Sequence, residues 1–291
     1  MLKRNQIFRN GFRYLLISLL SLSYQLTQAN EASISPDPLV AIQAPATNDI
    51  ELNQPAISII IDDMGYRLKS GNRAVNLSGN LTYSFLPHSP HALELSQRAH
   101  SKSKEIMLHL PMEAMSGNKL GPGGLTESMT EQKFVEVLES NIASIPHISG
   151  FNNHMGSLLT KSKFWMKRLM REIAPEKKLF FVDSRTTRDS VALNVARAEG
   201  VNSITRDIFI DHELTDKFIN MQLKKLIKKA QRKGTALAIA HPQKITLSIL
   251  EKWLPTLEAQ GIQLVSVSKL IALQKQRTIA LWKPQHLMNH N

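Results

Sequence analysis

The chain has 291 residues, 42% of them hydrophobic and 21% charged, which excludes a wholly disordered or fibrous protein and allows a large folded core. Its formal net charge of +12 favours polyanionic surfaces. The basic residues cluster in helical stretches without interleaved aromatics, so we expect a solvated helix face and no nucleic-acid partner. Because cysteine is absent, disulfides and thiolate metal sites are excluded, and any metal must be held by His, Asp or Glu.

The N-terminus has the three-part plan of a secretory signal peptide, residues 1–29. Four basic residues precede an apolar run over residues 14–23, and small residues follow near Ala29. The run is too short to span a bilayer comfortably, so we expect cleavage after Ala29, with a retained membrane anchor as the alternative. The mature protein is therefore expected to be periplasmic or secreted and to have no stable membrane span.

Three further segments follow the signal. Residues 30–55 contain four prolines among Ala, Ser, Asn and Gln, which predicts a flexible linker. In residues 56–276, short apolar runs rich in β-branched residues alternate with helical patterns, as is typical of repeated βα units. Residues 277–291 are basic and contain Pro284, and we expect a poorly ordered C-terminal tail there.

The domain contains eight apolar runs that we predict as strands. They cover residues 57–61, 81–85, 105–110, 148–151, 179–182, 201–204 with 208–210, 235–240 and 262–267. The clearest helices between them are predicted over residues 130–144, which begin with a Thr N-cap, and 215–233. Seven or eight βα units predict an α/β fold in the form of a (β/α) barrel, with a doubly wound open sheet as the competing fold.

Polar residues that can bind metal or move protons recur at the carboxyl ends of these predicted strands. The main ones are Asp62, Asp63, His109, His154, Asp183, Asp211 and His241. In parallel α/β folds these ends converge on one face, where active sites are built. Taken singly, an aspartate here could cap a turn and a histidine could be buried against a backbone carbonyl, so the prediction rests on the whole set.

Five motifs in this order resemble the divergent branch of the polysaccharide deacetylases. They are Ile-Ile-Asp-Asp-Met-Gly, Leu-His-Leu-Pro-Met-Glu, Asn-Asn-His-Met-Gly-Ser, Phe-Phe-Val-Asp-Ser and Ala-Ile-Ala-His-Pro, and they span roughly residues 56–273. The resemblance implies an incomplete, seven-stranded deacetylase-type (β/α) barrel with a divalent metal, usually Zn²⁺, at its mouth. It also implies carbohydrate chemistry in the envelope or outside the cell.

The resemblance assigns a role to each matched residue. Asp62 matches the catalytic base and His241 the histidine that acts as general acid. Asp63, His109 and His154 match the metal ligands. The orthodox family pattern has two histidines four residues apart in one loop, whereas Glu113 occupies the second place here and His154 supplies the other imidazole.

Four residues are predicted to support these groups. Glu113 can be a ligand or an outer partner of the metal, and Asn153 can orient a ligand or stabilise its turn. Asp183 and Arg185 can support the base or form a structural ion pair at the barrel rim.

The expected function is hydrolysis of N-acetyl groups on an envelope polysaccharide or peptidoglycan glycan. The metal activates a water, Asp62 accepts a proton from it, and His241 protonates the departing amine. The alternative is a non-catalytic envelope module on the same barrel that binds glycans or regulates. Because no Gly-x-Ser-x-Gly elbow occurs, a serine esterase is disfavoured.

Overall fold

The computed structural model describes residues 54–173 and 178–287, and a nine-stranded sheet forms its centre. The strands are β1 (Ala56–Met64), β2 (Thr82–Phe85), β3 (Glu105–Met112), β4 (Ile148–Met155), β5 (Phe180–Asp183), β6 (Ser203–Thr205), β7 (Ile208–Phe209), β8 (Thr235–Ala240) and β9 (Gln263–Leu264). The α-helices are α1 (Leu68–Val75), α2 (Ala92–Ser101), α3 (Glu131–Ser144), α4 (Lys163–Ile173), α5 (Ala192–Ala198), α6 (Asp216–Lys233), α7 (Lys244–Trp253) and α8 (Val267–Leu287).

The strand order shows that the sheet curls into an incomplete barrel. The order is β6-β5-β4-β3-β2-β1-β8-β7, every pair is parallel, and β9 pairs with the start of β1. Strands β6 and β7 lie at opposite ends of this order, yet only Arg206 and Asp207 separate them along the chain. The two edges must therefore lie close together, which a flat sheet does not allow. This confirms the predicted (β/α) barrel over the doubly wound sheet, in which the strand order reverses.

The sheet has nine strands in the described residues, whereas eight apolar runs were predicted as strands and the family resemblance implies seven. The sixth apolar run divides into β6 and β7, because Ser203–Thr205 pairs with β5 and Ile208–Phe209 pairs with β8. The last run contributes only the two residues of β9. Both differences lie at the margins of the sheet, where short pairings end the barrel.

The central strand β1 is buried on both faces, which explains why four of its first six residues are isoleucines. Ile57, Ile59 and Ile61 pack into the larger apolar cluster with residues of the flanking helices. Ile60 points to the other face and packs into a second cluster with Met107 of β3. The alternation of side chains along a strand therefore sends the residue after Ile61, Asp62, to the same face as Ile60.

Helices α3 and α6 confirm the two clearest helix predictions. The side chains of Thr130 and Thr215 accept hydrogen bonds from the backbone N–H groups three residues on, as N-caps do. Helix α6 ends at Gly234, which has a φ of 81° in the left-handed region that glycine adopts without strain.

The last helix extends beyond the predicted domain boundary. The sequence predicts that the domain ends at residue 276, and α8 continues past this position to Leu287. Residues 274–283 contain no glycine or proline and many good helix formers, so the helix has no local reason to stop at residue 276. Gln274 Nε2 donates to Thr235 Oγ1 at 2.9 Å, which ties the helix to the start of β8.

The predicted signal peptide, residues 1–29, lies outside the described residues, as does the linker except for its last two residues. Of the helices described here, none combines the length and apolarity needed to cross a bilayer.

Candidate metal centre

A layer of polar side chains lies on one face of the curled sheet, above an apolar layer. Ile60, Met107 and Val182 belong to one apolar cluster. Two residues further along the chain come Asp62 in β1, His109 in β3 and Ser184 directly after β5, and the alternation of side chains directs them to the same face. All three are buried. The sequence thus changes from apolar to polar at the same level of neighbouring strands, and this level is the floor of the candidate centre.

Asp63, His109 and His154 bring three ligand atoms together. Asp63 Oδ1 lies 3.3 Å from His109 Nε2 and 3.2 Å from His154 Nδ1, and the two ring nitrogens are 3.1 Å apart. Tetrahedral zinc with bonds of about 2.0–2.1 Å to its ligands requires them to be roughly 3.3 Å from one another. The three observed separations match this value closely, so the cluster has the size of a mononuclear metal site.

The state of Asp63 also fits a cation. Its Oδ1 atom is buried without a hydrogen-bond partner among the described residues, although a buried carboxylate oxygen normally has one. Burial alone would raise the pKa of Asp63, but contacts with His109 and His154 outweigh it and hold the pKa far below its usual range. Asp63 has a φ of 54°, an uncommon backbone conformation for a residue other than glycine, and such strain is found at ligand sites.

Asn152 fixes the orientation of His109. The Asn152 Oδ1 atom lies 2.8 Å from His109 Nδ1 and accepts a second hydrogen bond from Ser84 Oγ at 2.7 Å. Since an amide oxygen can only accept, His109 must carry its proton on Nδ1 to donate to it. The lone pair of Nε2 is then free and directed at the cluster. An outer hydrogen bond of this kind is typical of metal-binding histidines.

Asp62 lies beside the cluster and is held by the same amide. Asn152 Nδ2 donates to both carboxylate oxygens, at 2.9 and 3.0 Å. Burial raises the pKa of Asp62, against the opposing influence of His109 and His241. A raised pKa makes this carboxylate a stronger proton acceptor than an ordinary aspartate.

His241 approaches the cluster from the opposite side and is paired with Asp211. Its Nδ1 lies 2.9 Å from Asp211 Oδ1, and its backbone N–H donates to Asp211 Oδ2 at 2.7 Å. Burial alone would lower the pKa of His241, but the hydrogen bond and charge of Asp211 outweigh it and raise the pKa to about 9. His241 is therefore protonated at neutral pH, and its Nε2 lies 3.9 Å from Asp63 Oδ2.

Glu113 and Asn153 hold loops near the cluster. The Glu113 carboxylate accepts a hydrogen bond from the Glu127 backbone N–H at 2.7 Å, and its carbonyl accepts from Leu158 and Leu159. Asn153 Nδ2 donates to the Met155 carbonyl, and its Oδ1 accepts from the Ser184 N–H. Both residues thus fix the backbone of the loops that surround the cluster.

Asp183 and Arg185 form a turn with each other. Asp183 Oδ1 accepts a hydrogen bond from the Arg185 backbone N–H at 2.8 Å, and its Oδ2 accepts from Ser190 Oγ at 2.8 Å. The guanidinium group that interacts with this turn belongs to Arg206. It donates to the carbonyls of Ser184 and Arg185, and its charge acts on both Asp183 and Asp62.

Three further residues support the site: Asn152, Asp211 and Arg206. From the sequence, Asp211 was named only as a strand-end residue and Asn152 only as one that could orient a ligand or stabilise its turn, and Arg206 was given no role. Asp211 had a visible signal, because it ends a short apolar run just as Asp62 does. Asn152 precedes two residues that we did select, and only the strand register shows that it faces the cluster while Asn153 faces away. No sequence pattern pointed to Arg206 as a residue of the site, because it lies between two strands that were predicted as one.

The fold and this cluster define the chain as an incomplete (β/α) barrel protein with a candidate metal centre at the carboxyl ends of its strands. Residues 59–271 match the family described as divergent polysaccharide deacetylase. The chain belongs to this family, which implies a carbohydrate substrate.

Two relatives, one from Haemophilus influenzae and one from Escherichia coli, are described as uncharacterised proteins. A protein of Haemophilus influenzae is 35% identical over 217 residues, covering 75% of this chain and 77% of its own length. YibQ of Escherichia coli is 33% identical over 215 residues, covering 74% of this chain and 67% of its own. The crystal structure of ATU2773 from Agrobacterium tumefaciens has a TM-score of 0.72 at 24% identity and covers 75% of this chain and 89% of that one, which supports the fold.

Proposed function

We propose that this protein is an exported, metal-dependent deacetylase that hydrolyses N-acetyl groups of an envelope polysaccharide or peptidoglycan glycan. One observation carries the proposal: Asp63, His109 and His154 converge at metal-site distances while Asp62 and His241 flank them. Three ligands and two groups suited to proton transfer make up a complete set for amide hydrolysis.

Asp63, His109 and His154 would hold the metal. Zinc suits this set, because catalytic zinc sites use three protein ligands from His, Asp and Glu and leave a fourth position open. The ion would supply Lewis-acid polarisation of the acetyl carbonyl and an activated water. Asn152 keeps His109 in the tautomer that this role requires.

Asp62 serves as the general base. It lies beside the cluster, with its Oδ1 atom 3.7 Å from His109 Nδ1, and is buried away from bulk water. Its fixed position removes the entropic cost of orienting a base at the moment of proton transfer. Its raised pKa improves its ability to take the proton of the attacking water.

His241 serves as the general acid. Asp211 keeps it protonated at neutral pH and occupies its Nδ1, so that Nε2–H is the group directed towards the cluster. That proton goes to the nitrogen of the departing amine as the carbon–nitrogen bond breaks, which gives acetate and a free amino sugar.

The alternative is a barrel of the same family that binds glycans without hydrolysing them. The two functions differ in whether proton transfer is needed, since binding alone uses neither a base nor an acid. The presence of both Asp62 and the Asp211–His241 pair, each held by several hydrogen bonds, favours the enzyme.

Acetate release after removal and return of the metal tests this proposal. The protein is treated with a chelator, reloaded with zinc, and incubated with N-acetylglucosamine oligomers and with peptidoglycan glycan strands. We expect acetate only from the reloaded protein, at about one zinc per chain. Binding to these glycans without acetate release under any divalent metal would support the non-catalytic module instead.

A further inference from the structure

A cavity of about 340 Å³ opens directly beside the candidate metal centre. Asp63 and His154 form the wall nearest the centre, and Tyr66, Arg67, Lys119 and Gln243 are among the other lining residues. This volume lies at the lower end of the range of ligand pockets, about 300–1,000 Å³, and suits a single sugar residue better than a long segment of polymer.

The two walls of this cavity come from different loops that are both fixed. Arg67 and Tyr66 follow β1 at the turn into α1, where Gly65 has a φ of 117°. Lys119 lies on the loop after β3, which Glu113 anchors through the Glu127 N–H, while Asn141 Nδ2 donates to the Gly123 carbonyl at 2.8 Å. The residue that replaces the second histidine of the family pattern therefore positions the loop that carries Lys119.

Apart from the proposed metal ligands Asp63 and His154, the charged residues that line this cavity are the cations Arg67 and Lys119. Asp63 is the one acidic residue among its described lining residues, and a bound divalent ion would offset its charge. Arg67 and Lys119 are exposed, and in the described parts of the chain neither has a carboxylate partner within 4.0 Å. Most other exposed cations in the described part of the chain lie on helices, whereas these two line one cavity.

Tyr66 adds an apolar surface to the same cavity. Its side chain is 47% exposed although it is a large aromatic residue. Aromatic rings with a polar tip are suited to sites that are partly apolar and partly wet, which describes the contact with one face of a sugar ring. The cavity thus offers a flat ring, two cations and the amide of Gln243 next to the proposed metal.

We propose that this cavity binds an N-acetylated sugar that carries a carboxylate or a phosphate, with Arg67 and Lys119 contacting the anion and Tyr66 contacting the ring. The inference rests on the proposed function and narrows its substrate class from N-acetylated glycans in general to anionic ones. A guanidinium group matches both carboxylate and phosphate geometry, and an ammonium group adds a mobile positive charge.

Binding of three defined ligands tests this inference. They are an oligomer of alternating N-acetylglucosamine and glucuronate, N-acetylglucosamine 6-phosphate, and a neutral N-acetylglucosamine oligomer. Calorimetric titration uses the full zinc-loaded chain with Asp62→Asn, so that no ligand is consumed. We expect at least one anionic ligand to bind about tenfold more tightly than the neutral one at low salt, and this difference to shrink as salt is added.

Variants without these charges test whether Arg67 and Lys119 cause the preference for the anionic ligand. Arg67→Gln with Lys119→Gln should abolish the preference for the anion while leaving binding of the neutral oligomer unchanged. The matched control, Lys69→Gln with Arg232→Gln, removes the same charge from exposed positions outside the cavity and should keep the preference. Equal binding of all three ligands, binding of none, or a preference that survives in the cavity variant would overturn the inference.

Failure of this inference is distinguishable from failure of the proposed function. If neutral and anionic glycans bind equally and release acetate at equal rates, the result would support the deacetylase and contradict the anion site. If the preference for the anion is lost in the cavity variant but no glycan releases acetate, the result would support the anion site and contradict the deacetylase.

Discussion

Among the described residues of the centre, Asn152 has the largest number of side-chain hydrogen-bond partners. Its amide contacts the side chains of Ser84, His109, Asp62 and Ser184. One side chain thus sets the tautomer of a proposed ligand and the position of the proposed base. Such connected buried networks fix one geometry, and each lost partner would leave a buried polar group unsatisfied.

The Asp211–His241 pair predicts the alkaline side of the pH–rate profile. A general acid must be protonated, so activity should fall as pH rises through the pKa of His241, about 9. Asp211→Asn keeps the size of the side chain but removes its charge. Burial lowers the pKa of His241, and without the charge of Asp211 less remains to raise it. The alkaline limb should therefore move down by about two pH units, towards the ordinary pKa of histidine.

The pH–rate profile of the Asp211→Asn variant provides the measurement, beside Asp189→Asn as control. Asp189 is exposed and pairs with Lys161, so its replacement should leave the alkaline limb in place. An unchanged alkaline limb in Asp211→Asn would show that His241 is not the group whose protonation limits the rate.

At the scale of elements, the centre results from the register of neighbouring strands. His109 pairs with Asn152, and Pro111 pairs with His154, so the two proposed imidazole ligands come from adjacent strands β3 and β4. Asp62 and Asp63 end β1, which lies two strands away from β3 in the sheet. The curl of the sheet is what brings these strand ends within reach of one metal ion.

Metal content tests the role of β3 and β4. His109→Ala and His154→Ala should each weaken zinc binding by more than the roughly 10–100-fold that follows loss of an outer hydrogen-bond partner. His100→Ala serves as control, because His100 stacks on His147 and does not belong to the cluster. Elemental analysis of folded protein gives the result, and full metal retention in both ligand variants would contradict the assignment.

The elements that could be predicted from the sequence are those with local signals. Helices α3 and α6 have N-caps and apolar periodicity, and β1 has an isoleucine-rich segment that is followed by two aspartates. The contacts of the centre join residues that are far apart, such as Asn152 and Asp62, which are 90 positions apart. Asn152 faces the cluster and the adjacent Asn153 does not. This difference depends on strand register, which no local sequence pattern predicts.

For the whole molecule, the proposal of export leads to a prediction about its N-terminus. The basic, apolar and small segments of residues 1–29 predict cleavage after Ala29, so protein from the envelope fraction should begin at Asn30. N-terminal sequencing of that fraction gives the answer. A chain in the membrane fraction that still begins at Met1 would contradict cleavage and support the retained anchor.

Acetate release by Asp62→Asn beside the wild type, both loaded with zinc, tests the central claim most directly. Asn is nearly the size of Asp but cannot accept the proton, so the variant should keep its fold, its zinc and its glycan binding. Its turnover on an N-acetylated glycan should fall by roughly 10²–10⁴-fold, the range for loss of general acid–base catalysis. Equal acetate release by both proteins at equal zinc content would contradict the role of Asp62, and no release by the wild type would contradict the deacetylase itself.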